Sequence, residues 1–326
     1  MQADAPGEIP APTASPERRV TPRRTTRTGP SLLAPGAARD PYRFYRVLRE
    51  RHPLSYDAPL GAWLISRYDD VATALTDPRF TGFPHDGAPR GGPAPLGLCH
   101  GNARCLPRDR YTVVTGTVPP HLAERVQRTA YVLARRIAGR RQADLVEEFC
   151  RWLPAGAPTG PGEGPCTRRT ALRETALASF LANLLDDPDL LAALRVEPAL
   201  AGRAWTESLR RDPPVQIVLR RTATEVTLSG GTLPARAPVA CLVGAAGRDP
   251  ERFAAPDTFD PFRTDQDRAT GGPAGCPAVA LGRLEAEQGV RALLDAMPGL
   301  RWADGFRPAA TGLLTRGPRS LLVRPG

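Results

Sequence analysis

The spacing of apolar residues divides this chain into helical and extended pieces. In DPYRFYRVLRERHP, Phe44, Tyr45 and Leu48 share one face, Asp40 suits an N-cap and Pro41 a first turn, which predicts a helix. GAWLISR alternates as a strand, and a second helix is expected from about Asp69, with Val71 and Leu75 inward. Over residues 121–141 the period is helical again, with Leu122, Val126, Leu133 and Ile137 on one face and arginines on the other. ADLVEEFCRWLP reads as a further helical piece. Residues 170–186 place Leu177, Phe180, Leu181, Leu184 and Leu185 at helical spacing and stop before Pro188, where PDLLAALR opens another helix. RAWTESLRRDPPVQ is a helix halted by Pro213 and Pro214. IVLRRTATEVTLSGGTLPARAPVACLV then alternates with β-branched residues around Ser229-Gly230-Gly231, a hairpin signal. A last long helix is expected from after Cys276 to about Met297. The pattern predicts a mainly α chain with small antiparallel β-sheets.

Three tracts lack any period. Residues 1–38 are rich in Pro, Thr and Arg and read as a disordered tail, leaving 39–326 as one domain. Residues 81–119 are turn-rich without a helical stripe, and 154–165 are Pro/Gly-rich. No apolar run reaches the eighteen or so residues of a membrane helix, and the first residues lack the apolar segment of a secretory signal. A soluble, cytoplasmic protein without a membrane partner is expected.

Composition changes this picture in two places. All 44 basic residues are arginine, and the net charge is +10. The arginines are mixed with acids, and aromatics make up only 6%, so no basic stripe with stacking residues marks a nucleic-acid site. Such a surface suits acidic partners or anionic ligands. The six cysteines, Cys99, Cys105, Cys150, Cys166, Cys241 and Cys276, form no disulfide framework and should be free thiols. His85, Cys99, His100 and Cys105 lie close in sequence, but their spacing fits none of the usual zinc patterns.

Glu207 and Arg210 stand three apart in one predicted helix and can pair, as many solvated surface residues do. The chain around and beyond them is more specific: TESLRRDPPVQ, RRTATEVTL, GRDPERFAAPDTFDPFR, then a Gly-rich loop whose cysteine opens a helix, in that order. This succession resembles bacterial cytochrome P450 over about residues 188–298. DPYRFYRVLRE and AWLISRYDDVATALTDPRFTG resemble the opening helix, first sheet and second helix of the same family. The resemblance implies that Glu207 and Arg210 form the buried ion pair behind the haem cysteine. It also implies that Cys276 is the axial thiolate and that Arg221 meets a haem propionate. A thiolate at a helix N-terminus is stabilised by the dipole, and Pro277 suits the first turn. A lone cysteine would otherwise be an inert buried thiol, but Leu281, Arg283 and Glu285 continue the family pattern after it.

The departures fall on catalysis. Gly272 is in place, but Ala269 replaces the usual phenylalanine, Ala274 the propionate-binding His or Arg, and Ala278 the glycine of close porphyrin approach. Glu174 and Thr175 resemble the acid and threonine of the oxygen-activating helix, yet sit one turn too close to Pro188. In the ungapped register Leu172 takes the threonine's place, and a capping or surface Glu-Thr remains the alternative. The His-to-Arg propionate motif has two candidates, His100 with Arg104 and His121 with Arg125. Between LVEEFCRWLP and the helix at 170 stands only PAGAPTGPGEGPCTRR, where the family has the helices roofing its substrate. A truncated fold without a lid is implied, and a monooxygenase must close its site to water.

Two functions are implied. One is a haem-thiolate monooxygenase acting on a natural product, fed by a ferredoxin. The other is a catalytically silent accessory protein, resembling the cytochrome P450-like activators of deoxysugar glycosyltransferases in actinobacterial pathways. RRTATEVTL, GAAGRDPERF, RTDQDRA and the shortened middle are similar to that group, which has generally lost the haem cysteine that this chain keeps. On the second reading haem b is held weakly or not at all and the partner is a glycosyltransferase. A decayed product without a stable fold is the third alternative.

Overall fold

The computed structural model describes residues 30–82, 118–156, 170–265 and 277–326. Residues 1–29, the turn-rich stretch at 83–117 and the loop containing Ala269, Gly272, Ala274 and Cys276 lie outside them, as do His85, Cys99, His100, Arg104, Cys105 and Cys166.

Helix α1 (Pro41–Arg51) is capped by Asp40, whose carboxylate accepts from the Arg43 amide at 3.2 Å, with Pro41 in its first turn. Strands β1 (Leu54–Asp57) and β2 (Ala62–Ile65) form a hairpin, followed by α2 (Tyr68–Thr76) and β3 (Phe80–Gly82). Then come α3 (Pro120–Ala138), β4 (Ala143–Asp144), a π-helical turn (Val146–Cys150) and α4 (Trp152–Gly156). Three helices follow: α5 (Thr170–Leu185), α6 (Pro188–Val196) and α7 (Leu200–Arg211). Next are β5 (Ile217–Thr222), the β6–β7 hairpin (Val226–Leu228 and Gly231–Leu233), β8 (Pro238–Leu242) and the short α8 (Val243–Ala246). Helix α9 (Pro277–Ala296) leads into β9 (Arg301–Trp302), β10 (Ala310–Thr311), β11 (Gly317–Pro318) and β12 (Leu322–Arg324).

The core lies in a helical bundle. Val126, Ala130 and Ile137 of α3 are fully buried with Phe149 and Leu153, Phe180 and Leu184 of α5, Trp205 of α7 and Leu293 of α9. Phe180 meets Trp205 edge-on, with ring centroids 5.5 Å apart. Gly289 lets α9 approach Phe149 and Leu153, where a Cβ would stand 3.1 Å from Leu153. Beside the bundle lies a five-stranded sheet in the order β1-β2-β8-β5-β3.

Three expectations need correction. The sheet is mixed, because β2 runs parallel to β8, with Leu64 opposite Ala240. Hairpin signals reveal only neighbouring antiparallel strands, while this pair joins segments far apart in sequence. The ADLVEEFCRWLP segment is not continuously helical. Its Ala143–Asp144 strand pairs with β12, because the Asp144 carboxylate accepts from the amides of Val146 and Leu321, each at 2.9 Å, and from the Ser320 hydroxyl. Finally, the tail ends sooner than composition suggested. Leu32 is buried, and Asp57 accepts from its amide at 2.7 Å and from the Ser31 hydroxyl at 2.8 Å. Arg316 donates to the carbonyls of Ala38 and Arg39. Two buried apolar side chains, Leu32 and Ala37, and a few remote polar partners suffice to order residues 30–38.

Candidate functional site

Glu207 and Arg210 lie on the buried face of α7, with Glu207 fully inaccessible. Arg210 grips the carboxylate in a two-pronged pair, Nε to Oε2 at 2.8 Å and Nη2 to Oε1 at 2.7 Å. Its remaining donors reach the carbonyls of Gly247, Pro256 and Thr258 at 2.5, 2.8 and 3.1 Å. Glu207 Oε1 accepts further from Arg263 Nε at 2.9 Å and the Asp260 amide at 3.0 Å. The pair therefore ties α7 to the 247–263 segment that leads toward Cys276. Gly247 leaves room for this junction, since a Cβ there would collide with the Arg210 carbonyl. Arg263 was missed from the sequence, although it ends the DPFR motif.

The segment is anchored a second time by Arg248. It donates to the Arg211 carbonyl, to Asp212 at 2.7 Å and to Asp257 at 3.0 Å, and its guanidinium stacks 3.4 Å over the Tyr42 ring. Burial pushes the Tyr42 phenol far up, with nearby Asp212 adding to the effect. Asp249 accepts from the Tyr68 amide at 2.7 Å, joining α2 to the same turn.

Arg221 sits on β5 in a half-buried position and donates to the Arg236 carbonyl at 3.4 Å. The alternation of the strand sends its neighbour the other way, so Arg220 is the buried arginine, with Val218 and Thr222 on the same face. Arg220 lies beside Cys241, whose thiol burial pushes up to about 12 against the opposing pull of that guanidinium. The period of two in IVLRRT carried this signal.

Glu174 and Thr175 occupy a different flank of α5 from Leu172. Glu174 faces Arg151 at 3.7 Å, and desolvation raises its carboxyl despite that cation. Thr175 donates back to its own helix at the Ala171 carbonyl, 2.8 Å away, and packs against Gly317 of β11. Leu172 is buried in the apolar cluster that holds Val215, Val218 and Cys241. One residue on, Arg173 forms a fully buried ion pair with Glu285 of α9. Burial lifts Glu285 to about 7 against the opposing pull of Arg173. Glu285 stood out in the sequence only as part of a motif, and its partner was not foreseen.

His121 and Arg125 do not enter the interior. The buried arc of α3 is set by Leu122, Val126, Ala130, Leu133 and Ile137, which leaves both residues exposed. Among the described residues no group of His, Cys, Asp and Glu is arranged to hold a metal ion, and no helix is long and apolar enough to cross a membrane.

A cytochrome P450 family model matches residues 200–274, which contain Glu207, Arg210, Arg248 and Arg263. Over the longer span, the chain is 31% identical to the protein DesVIII of Streptomyces venezuelae, covering 88% of this chain and 86% of that one. This chain belongs to the cytochrome P450 family. It is also 43% identical to the protein AknT of Streptomyces galilaeus, over 37% of this chain and 28% of AknT. In three dimensions it is similar to CYP109E1 from Bacillus megaterium in complex with testosterone, at a TM-score of 0.71 and 18% identity, covering 88% of this chain and 99% of that one.

The family implies haem, and the fit of the described residues to it is partial. Helix α9 begins at Pro277, so Cys276 precedes the first turn of a 20-residue helix, where a thiolate would be stabilised. Arg220 and Arg221 lie on the sheet, but His121 and Arg125 face outward and Leu172 fills an apolar position. The described residues do not complete a haem cradle.

Proposed function

We propose that this cytochrome P450 family member works as a non-catalytic accessory partner of a glycosyltransferase in a secondary-metabolic pathway. The observation that carries the reading is the state of α5. In the family this helix delivers protons to bound dioxygen through an acid and a threonine. Here Leu172 is in the apolar core, Glu174 is directed to Arg151, and the Thr175 hydroxyl is engaged by its own helix. The residues that maintain the scaffold, by contrast, are fully engaged: Glu207, Arg210, Arg263, Arg248 and Asp249 each bind several partners. Loss concentrated on chemistry with the framework preserved is the signature of a chain kept for its surface.

Length supports the same reading. Cytochrome P450 107B1 of Saccharopolyspora erythraea aligns over 408 positions, all of its own length, with this chain of 326 residues. The missing positions belong, on this proposal, to the lid expected between α4 and α5. Resemblance of RRTATEVTL, GAAGRDPERF and RTDQDRA to the accessory group supports the class of partner.

A second reading has one specific feature in its favour: the sequence keeps Cys276 immediately before Pro277, the first residue of α9. Haem, when bound there, would supply oxygen activation at a thiolate-ligated iron, with a ferredoxin as electron donor. Co-expression with a glycosyltransferase from the same source organism separates the two. The accessory reading expects a complex that survives size-exclusion chromatography and higher yield of soluble transferase. Absence of any complex, with ferredoxin-dependent oxidation of a small molecule, would overturn it.

A further inference from the structure

Helix α3 carries a surface that the scaffold does not use. Its buried residues occupy one arc, and the opposite arc is a stripe of exposed residues: His121, Arg125, Arg128, Val132, Arg135 and Arg136. At 100° per residue, all six fall within about 60° of Val132, so they form one continuous face. From Arg125 to Arg136 the stripe runs about 17 Å along the helix axis. Among the described residues none of its four arginines takes part in an ion pair, whereas α3 reaches its neighbour through Tyr131, which donates to Asp295 of α9.

Helix stability explains only part of this arrangement. Arg135 and Arg136 lie in the last turn, where cations suit the helix dipole. Arg125 and Arg128 lie in the first half, where they gain nothing from it; they stand three apart and repel one another, and the exposed Glu124, four residues before Arg128 at the edge of the stripe, is the one acid of the helix. The centre of the stripe is apolar and open: Val132 is 61% exposed. Helix α4, which packs on α3, leaves Trp152 53% exposed as well. Arginines without counter-ions around an exposed apolar centre are the composition of a protein interface, in which Arg and Trp are enriched.

We infer that the outer face of α3 is the docking surface for the glycosyltransferase, and that it takes an acidic patch with an apolar residue at its middle. The inference rests on the accessory reading and adds where and by what chemistry the partner binds. A nucleic acid would satisfy the charge but not the exposed valine, and the stripe has no aromatic residue to stack on a base.

The test is a binding titration of the full chain against the transferase at low and moderate salt. Reversal of Arg125, Arg128, Arg135 and Arg136 to Glu should weaken binding about tenfold or more, mostly through slower association. The same four positions changed to Lys should restore most of it. Reversal of the exposed Arg43, Arg51, Arg301 and Arg307 changes net charge equally and should leave affinity within about twofold. Far-ultraviolet circular dichroism of each variant verifies that α3 remains folded, as expected for substitutions at exposed positions. If wild type binds and the α3 reversal binds equally well, the surface is wrong while the accessory reading stands. If wild type forms no complex at all, both fall. Equal or tighter binding to a duplex DNA oligonucleotide under the same salt would also overturn the inference.

Discussion

Replacing Glu207 with alanine removes the counter-ion at the junction between α7 and the 247–263 segment. Four donors lose their acceptor at once: Arg210 Nε and Nη2, Arg263 Nε and the Asp260 amide, at 2.7–3.0 Å. Arg210 is 2% exposed and Arg263 7%, so water cannot take the place of the carboxylate without opening the core. Two guanidinium groups would then face each other, Arg263 keeping Asp265 on its Nη1 at 2.9 Å and Arg210 left with backbone carbonyls alone. Breaking a buried pair from one side costs roughly 3–5 kcal/mol. That is a large share of the roughly 5–15 kcal/mol that holds a typical domain together. With a urea slope of about 3 kcal/mol per molar, the unfolding midpoint should fall by about 1 M or more. Glu207→Gln, which keeps the shape and one acceptor but not the charge, should lose less than alanine. Equilibrium urea unfolding followed by tryptophan fluorescence measures both. A midpoint change worth less than about 1 kcal/mol for the alanine variant would mean that the pair is open to solvent, since only a solvated pair is that weak.

Asp57→Ala should free residues 30–33 from the sheet at a cost of about 1–3 kcal/mol, visible as loss of hydrogen-exchange protection at the Leu32 amide, and unchanged protection would contradict the anchoring. Glu285 sets a pH dependence: because burial raises its folded value to about 7, the folded state holds a proton there that the unfolded chain has released. Stability from this group is therefore present at low pH and lost as pH rises from about 4.5 to 7. Glu285→Gln should flatten that decline in urea midpoints measured between pH 5 and 7.5, and an identical slope in both proteins would remove the basis for it. Haem reconstitution should be substoichiometric, and Cys276→Ser should abolish any thiolate–carbon monoxide absorption band; full loading with a normal band would favour the monooxygenase.

The sequence was legible where local rules act. Asp40 and Pro41 open α1 as their residue types require, Pro213 and Pro214 stop α7, and the Ser229-Gly230-Gly231 turn produces the β6–β7 hairpin, with Gly231 at φ 138°. The pairing of Glu207 with Arg210 followed from their spacing within a recognisable succession of motifs. What could not be read depends on residues brought from far along the chain. The parallel β2–β8 pair, the Arg173–Glu285 bridge and the hold of Asp57 on Leu32 have no local pattern. The outward direction of His121 and Arg125 was legible, since Leu122 and Val126 fix the buried arc and the arginines fall opposite it. Strand alternation in IVLRRT separates Arg220 from Arg221 and turns the former inward.

In the proposed accessory role this member of the cytochrome P450 family acts through its scaffold. The most direct test of that role is glycosyl transfer by the purified partner in three arms: alone, with the wild-type chain, and with Cys276→Ala. Transfer should rise to the same level with either form of the protein, because the thiolate takes no part. Equal transfer in all three arms would contradict it, and so would stimulation by the wild type that the Cys276→Ala protein cannot give.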